Sequence, residues 1–196
     1  METEVKFSPV TKAQADALFC CSLFTPLSPA RMIPMETTYF DDPAHCFSAH
    51  RWTLRLRREG SETLCTFKTA LDNLSRLELE APAQTIEAGA QALARSPELP
   101  EEARSILQRG AFFPICGARF QRREQRMEWR DLTFALSYDE GILFRGAHTL
   151  PLAEVELELY RGGPQALLML AAILTQSYHL RTETRSKQQR ALALGR

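Results

Sequence analysis

The sequence predicts an α+β fold. About eight mostly antiparallel strands turn their charged faces toward one another, and about four helices cover the opposite, apolar faces. Three observations carry the prediction. Alternating segments recur along the chain, and each puts its charged residues on one face and its apolar residues on the other, because successive side chains of a strand point to opposite sides. Short turns such as Glu59-Gly60-Ser61 join these segments at hairpin spacing. Finally, helical stretches with apolar faces are available to cover the outward side of such a sheet.

Taken in order, residues 2–7 open as a strand with Glu2, Glu4 and Lys6 on one face and Thr3, Val5 and Phe7 on the other, and Pro9 stops it. Thr11 and Gln14 form a capping box for a helix to about Phe24. Pro26, Pro29 and Pro34 make 25–35 a loop, 37–40 reads as a short strand, and Asp41-Asp42-Pro43 turns the chain. Residues 51–58 and 62–69 form a hairpin. Arg55 and Arg57 share a face of its first strand, and Thr66 and Lys68 share a face of its second. The strand 74–80 sets Arg76, Glu78 and Glu80 opposite Leu77 and Leu79.

Helices at 85–95 and 100–109 follow, the second with Pro100 at its first position and Gly110 just beyond its end. Strands are expected at 117–127 and 130–138, turning near Trp129. Asp139-Glu140-Gly141 reads as a tight turn before a strand at 142–144. The clearest strand is 154–160, where Glu154, Glu156 and Glu158 alternate with Val155, Leu157 and Leu159. Pro164 opens an apolar helix to about Leu180, suited to pack on the outside of the sheet, and a basic tail closes the chain. A single domain over 1–196 is expected, with 164–196 as its C-terminal helix and tail.

Composition sets bounds on function. Lys plus Arg and Asp plus Glu number 24 each, and this zero net charge argues against non-specific nucleic-acid binding. Five cysteines without C-x-x-C spacing read as reduced, and Met1 leads directly into a charged strand, so a cytoplasmic protein without a signal peptide is expected. The longest apolar run, 166–174, is far short of the ~20 residues of a membrane span.

Carboxylates gathered on one face repel unless a cation lies between them, and hard oxygen donors suit Mg²⁺ or Mn²⁺. Arg and Lys on neighbouring strands suit phosphate oxygens. Acidic and basic faces lining one channel therefore point to a metal–polyphosphate complex and to phosphoryl transfer, in which the protein chiefly positions groups and stabilises charge.

The motifs also resemble a known family. Glu2-Thr3-Glu4-Val5-Lys6 is similar to its E-x-E-x-K, Leu54-Arg55-Leu56-Arg57 to L-R-x-R, Thr66-Phe67-Lys68 to T-x-K and Arg76-Leu77-Glu78 to R-x-E. Phe120-Gln121-Arg122, Asp139-Glu140-Gly141, the 154–158 acidic strand and Ser186-Lys187-Gln188-Gln189-Arg190 follow in the same order. These resemble the CYTH superfamily, the triphosphate tunnel metalloenzymes, and within it the bacterial inorganic triphosphatases.

The resemblance implies a closed antiparallel eight-stranded tunnel and Mg²⁺- or Mn²⁺-dependent hydrolysis of inorganic triphosphate or another polyphosphate. It implies an α-helical CHAD domain as partner where the natural chain is longer. Glu2, Glu4, Lys6, Glu154 and Glu156 are the expected catalytic set. Lys6, Arg55, Arg57, Lys68, Arg76, Arg122 and Lys187 are expected to hold phosphates. Glu2, Glu4, Glu78, Asp139, Glu154, Glu156 and Glu158 are expected around metal. Ala135 stands where the family often has Glu, which favours the alternative of a non-catalytic polyphosphate-binding module. Thiamine triphosphatase, nucleoside triphosphatase and adenylate cyclase activities remain open within the same family.

Overall fold

The computed structural model describes residues 3–70 and 76–195, with only the backbone of Ala70 and Arg76. In chain order the elements are β1 (Glu4–Phe7), α1 (Lys12–Phe19), β2 (Thr25–Pro26), β3 (Arg31–Asp41), α2 (Cys46–Ala49), β4 (Thr53–Glu59), β5 (Glu62–Ala70) and β6 (Arg76–Pro82). There follow α3 (Ile86–Leu93), α4 (Glu101–Arg109), β7 (Phe113–Trp129), β8 (Leu132–Arg145), β9 (His148–Arg161), α5 (Pro164–Tyr178) and α6 (Lys187–Leu192).

The strands form one antiparallel sheet in the order β1-β9-β8-β7-β3-β4-β5-β6, with the short β2 beside β7. The expected closed eight-stranded barrel is corrected to an open half-barrel, because among the described residues β1 and β6 end the sheet without pairing to each other. The chain itself takes up the outer edge of β1. Ser8 N donates to Arg181 O at 2.9 Å, Glu183 N donates to Lys6 O at 2.9 Å, and Phe7 and Thr182 form a bridge.

Two local expectations are also revised. Asp139-Glu140-Gly141 is not a turn but lies within β8, paired with Arg122, Gln121 and Phe120 of β7. Gly141 is needed there for close approach, since a Cβ would lie 2.2 Å from the Arg119 carbonyl oxygen. The chain reverses instead at Arg130 and Gly146, both in the left-handed region. Residues 31–35, expected as loop, belong to β3. Pro34 fits because its carbonyl accepts from Gly60 N on the β4 side. In a strand the N–H of a residue points the same way as its C=O, so Pro34 costs no bond to β7.

Three apolar clusters hold the sheet. On one outer flank Leu167, Leu170 and Leu174 of α5 and Leu18 of α1 pack on Val155, Leu157, Phe134 and Leu136, as the apolar helix predicted. On the other, α3 and α4 bury Ile86, Leu93, Ile106 and Leu107 against Leu54, Cys65 and Phe67. The third lies on the concave face, where Ala191 of α6 packs with Tyr39, Cys116, Phe120, Leu143 and Leu152. No helix among the described residues is long and apolar enough to cross a membrane.

Candidate functional site

Register places the expected charges on one surface. Glu4 and Lys6 of β1 face Glu158 and Glu156 of β9, and Glu154 and Glu156 face Asp139 and Ser137 of β8. Asp139 faces Arg122 of β7. Across the sheet, Arg55 and Arg57 of β4 face Thr66 and Leu64 of β5, and Lys68 faces Glu78 of β6. The period of two then puts all these side chains on the concave side, opposite Val155 and Leu157.

The acidic centre is Asp139, Glu154 and Glu156. One oxygen from each lies within 4.8 Å of the others, the one such group of metal-ligand type among the described residues. Cations surround it. Arg122 grips Asp139 with Nε at 2.7 Å and Nη2 at 2.8 Å, and donates from Nη2 to Glu156 at 2.7 Å. Lys187 Nζ is 2.8 Å from Asp139 Oδ2 and 2.9 Å from Glu156 Oε1, and it contacts Glu154 Oε1. Glu154 Oε1 is buried with this ion-pair contact as its partner. Arg190 pairs with Glu154 Oε2 and donates to Ser8 Oγ at 3.2 Å. Three carboxylates thus meet three cations at the centre, and Lys6 stands alongside, 2.6 Å from Glu4.

The environment splits the two central glutamates. Burial pushes Glu154 above the ordinary carboxylate range, and the charge of Glu156 adds to this while Lys187 and Arg190 offset only part of it. Burial acts on Glu156 too, but Lys187, Arg122 and Lys6 outweigh it and hold Glu156 well below that range. Burial alone would lower Lys187, yet Asp139, Glu156 and Glu154 keep its ammonium charged well above its usual pKa.

The basic arm of the site lies on β4 and β5. Arg55 is 3.3 Å from Glu78, Lys68 is 2.8 Å from Glu78, and Arg57 is 3.3 Å from Glu59 and 3.4 Å from Glu80. Burial, then the charge of Arg55, lowers the pKa of Arg57 despite those carboxylates, and Arg122 adds to the effect from across the concave face. Arg57 Nε is buried without a hydrogen bond. Guanidinium groups gathered on one buried face are suited to bind an anion.

The acids expected around metal therefore fall into three places. Asp139, Glu154 and Glu156 converge. Glu4 and Glu158 face each other one step along the strands, beside Ala135, and Glu78 lies on the basic arm with Arg55 and Lys68. Glu2 and the side chain of Arg76 lie outside the described residues. Lys187, expected among the phosphate binders, sits within the acidic centre. Arg190 was not singled out as a site residue, although its spacing from Lys187 puts both on one face of α6. Ser8 and Tyr39 carry no comparable sequence signal.

The chain matches the CYTH domain family over residues 1–192. It is 29% identical over 172 residues to the inorganic triphosphatase of Haemophilus influenzae, covering 82% of this chain and 46% of that protein. It therefore spans about half the length of this curated relative. A solved Hippeastrum protein, described as an adenylyl cyclase with a dominant triphosphatase activity, is 18% identical with a TM-score of 0.65, covering 96% of this chain and 94% of that one. A Pyrococcus horikoshii structure is 22% identical with a TM-score of 0.62, covering 98% of each chain. These two likenesses bear on the fold alone, and the family match over nearly every residue decides the assignment: the chain belongs to the CYTH domain family.

Proposed function

We propose that this chain is a cytoplasmic, metal-dependent triphosphatase that hydrolyses inorganic triphosphate to pyrophosphate and phosphate on its concave face. The observation that carries the reading is one surface bearing both the convergent Asp139, Glu154 and Glu156 and the basic set Arg55, Arg57 and Lys68. The activity named for the Haemophilus relative agrees with this chemistry.

The donor set fits a hard divalent cation, since three carboxylate oxygens within 4.8 Å of one another match the ligands Mg²⁺ and Mn²⁺ prefer. Asp139, Glu154 and Glu156 would hold it, with Glu2, Glu4 and Glu158 as further acids. Bound there, such an ion polarises a phosphoryl oxygen and lowers the pKa of a bound water.

The remaining work falls to the chain. Arg55, Arg57 and Lys68 receive the phosphates, Arg122 on β7 stands between that arm and the acids, and Lys6 flanks the acids from β1. Lys187 reaches from α6 toward the same charge. Arg190 fixes Glu154 through Oε2, leaving Oε1 directed into the centre. Burial of these groups strengthens each contact with an anion as charge redistributes during in-line attack.

A non-catalytic polyphosphate-binding module is the second reading. It is favoured by Ala135, which is buried on the concave face beside Glu158 where an acid would extend the set. Phosphate release from triphosphate, ATP, thiamine triphosphate and long-chain polyphosphate, each with Mg²⁺, Mn²⁺ or EDTA, separates the readings. Release from triphosphate that EDTA stops is expected. Binding without release under every metal condition would establish the second reading.

A further inference from the structure

The Lys187 ammonium stands where the three carboxylates converge. It touches one oxygen of each, at 2.8 Å for Asp139 and 2.9 Å for Glu156, with Glu154 in contact. Its side chain is 11% exposed. A divalent cation needs those same oxygen lone pairs at about 2.0–2.1 Å, so it and the ammonium cannot use the centre together.

The other cations differ in kind. Arg122 lies on a central strand and binds both oxygens of Asp139 in a planar fork. Arg190 reaches Glu154 from the side through Oε2, away from the convergent oxygen. Lys187 is a point charge on a flexible stem whose donors rotate freely. The backbone that carries it is fixed independently, by the Ser186 capping box, by Thr53 Oγ1 donating to Gln188 at 2.5 Å, and by Ala191 in the inner apolar cluster. The ammonium can therefore leave the carboxylates while α6 stays in place. Gln188, the next residue, bonds Thr53 of β4, and Ala191 packs with Tyr39, which pairs with Arg55, so α6 reaches from the acidic centre to the basic arm.

We propose that Lys187 is the resident counter-ion of the Asp139–Glu154–Glu156 centre, that it competes with the divalent cation for these oxygens, and that an anion on the basic arm draws it away and so admits the metal. The inference rests on the metal-dependent reading above. It makes metal and anion binding mutually reinforcing through one side chain, and such a coupling works equally in both directions.

The test uses the full chain and Mn²⁺ alone, titrated by calorimetry and by the electron paramagnetic resonance of free Mn²⁺. The variants are K187M, K187R and K187M/E156Q, and circular dichroism reports folding. K187M should bind Mn²⁺ about tenfold or more tightly than wild type, within the usual range of coupling between sites. K187R keeps the charge and should stay near wild type, and K187M/E156Q should lose the gain. Sulfate, a tetrahedral anion that chelates Mn²⁺ weakly, should tighten Mn²⁺ binding to wild type and leave K187M unchanged.

If wild type binds Mn²⁺ and K187M binds it no more tightly, the competition is refuted while the metal reading stands. Sulfate without effect on wild type refutes the hand-over to the anion. If no variant binds Mn²⁺ and Mn²⁺ supports no hydrolysis, the metal reading falls and takes this inference with it. Should K187M not fold, K187Q, which is neutral but can hydrogen-bond to the carboxylates, gives the same comparison.

Discussion

Replacing Arg122 with Met tests whether the acidic centre is held by charge or merely by packing. Met keeps much of the stem volume and removes the guanidinium, which makes three charge-assisted bonds of 2.7–2.8 Å to Asp139 and Glu156. Stripping one partner from a buried ion pair costs roughly 3–5 kcal/mol, because the charges left behind stay desolvated. The lower end applies here, about 3 kcal/mol, since Lys187 remains within 2.8 and 2.9 Å of the same two carboxylates. For a chain of this length that is a fall in Tm of roughly 6–12 °C.

The loss should depend on pH in a definite direction. Glu156 is held well below its ordinary value of 4.5 by Lys187, Arg122 and Lys6 against burial. A depressed acid contributes stability that is full above its unfolded pKa and is lost as pH falls through the folded one. Without Arg122 the folded pKa of Glu156 rises and much of that contribution disappears. The gap between wild type and R122M should be widest near pH 7 and close below 4.5. Thermal melts followed by circular dichroism from pH 7 to pH 3 measure it. A fall under about 2 °C, or a gap that does not move with pH, would refute the argument that these ion pairs are integral to the fold.

Four other outcomes follow from the same geometry. E156Q should abolish triphosphate hydrolysis while sparing metal-independent binding of triphosphate. R57A should weaken that binding by about ten- to a hundredfold through a lost charge-assisted contact. Calorimetry with EDTA distinguishes the two, and a normally active E156Q or a normally binding R57A contradicts the assigned roles. L170D places a charge at a fully buried position between α5 and the sheet and should destabilise by several kcal/mol, so an unchanged melt would contradict that packing. G141A puts a methyl against the Arg119 carbonyl, and a wild-type melting temperature in that variant would rule out the close approach of β8 to β7.

What the sequence disclosed depended on how far each signal extends along the chain. A period of two is local, so the concave set was legible strand by strand. Glu154 and Glu156 face inward and Val155 and Leu157 outward because a shift by one residue would exchange the faces. The helix over 164–178 was equally legible, since one run of residues holds its whole apolar face. Asp139-Glu140-Gly141 misled because glycine serves both turns and close backbone contacts, and only the partner strand tells which. Pro34 misled because what matters is the side of the strand on which its missing donor falls. Closure depends on whether β1 and β6 meet, and residues 181–183, far from both in sequence, occupy the β1 edge instead.

The site divides along the same line. Residue types and faces were readable, but which acids converge was not, because convergence is set by twist and curvature across many residues rather than by spacing within a strand. Glu158 continues the Glu154–Glu156 alternation, yet it faces Ala135 and Glu4 while Asp139 completes the centre. Lys187 is the sharpest case. By its charge alone a lysine in a basic tail reads as an ordinary solvated one, the motif it resembles marks it as a phosphate binder, and α6 carries its charge into the middle of three carboxylates. A cation among acids balances the centre in the absence of other charge, and the same cation can turn to an anion once another positive charge takes over the acids. The role of Lys187 therefore follows less from its residue type than from the one inner surface on which the acidic and basic sets of this chain lie together.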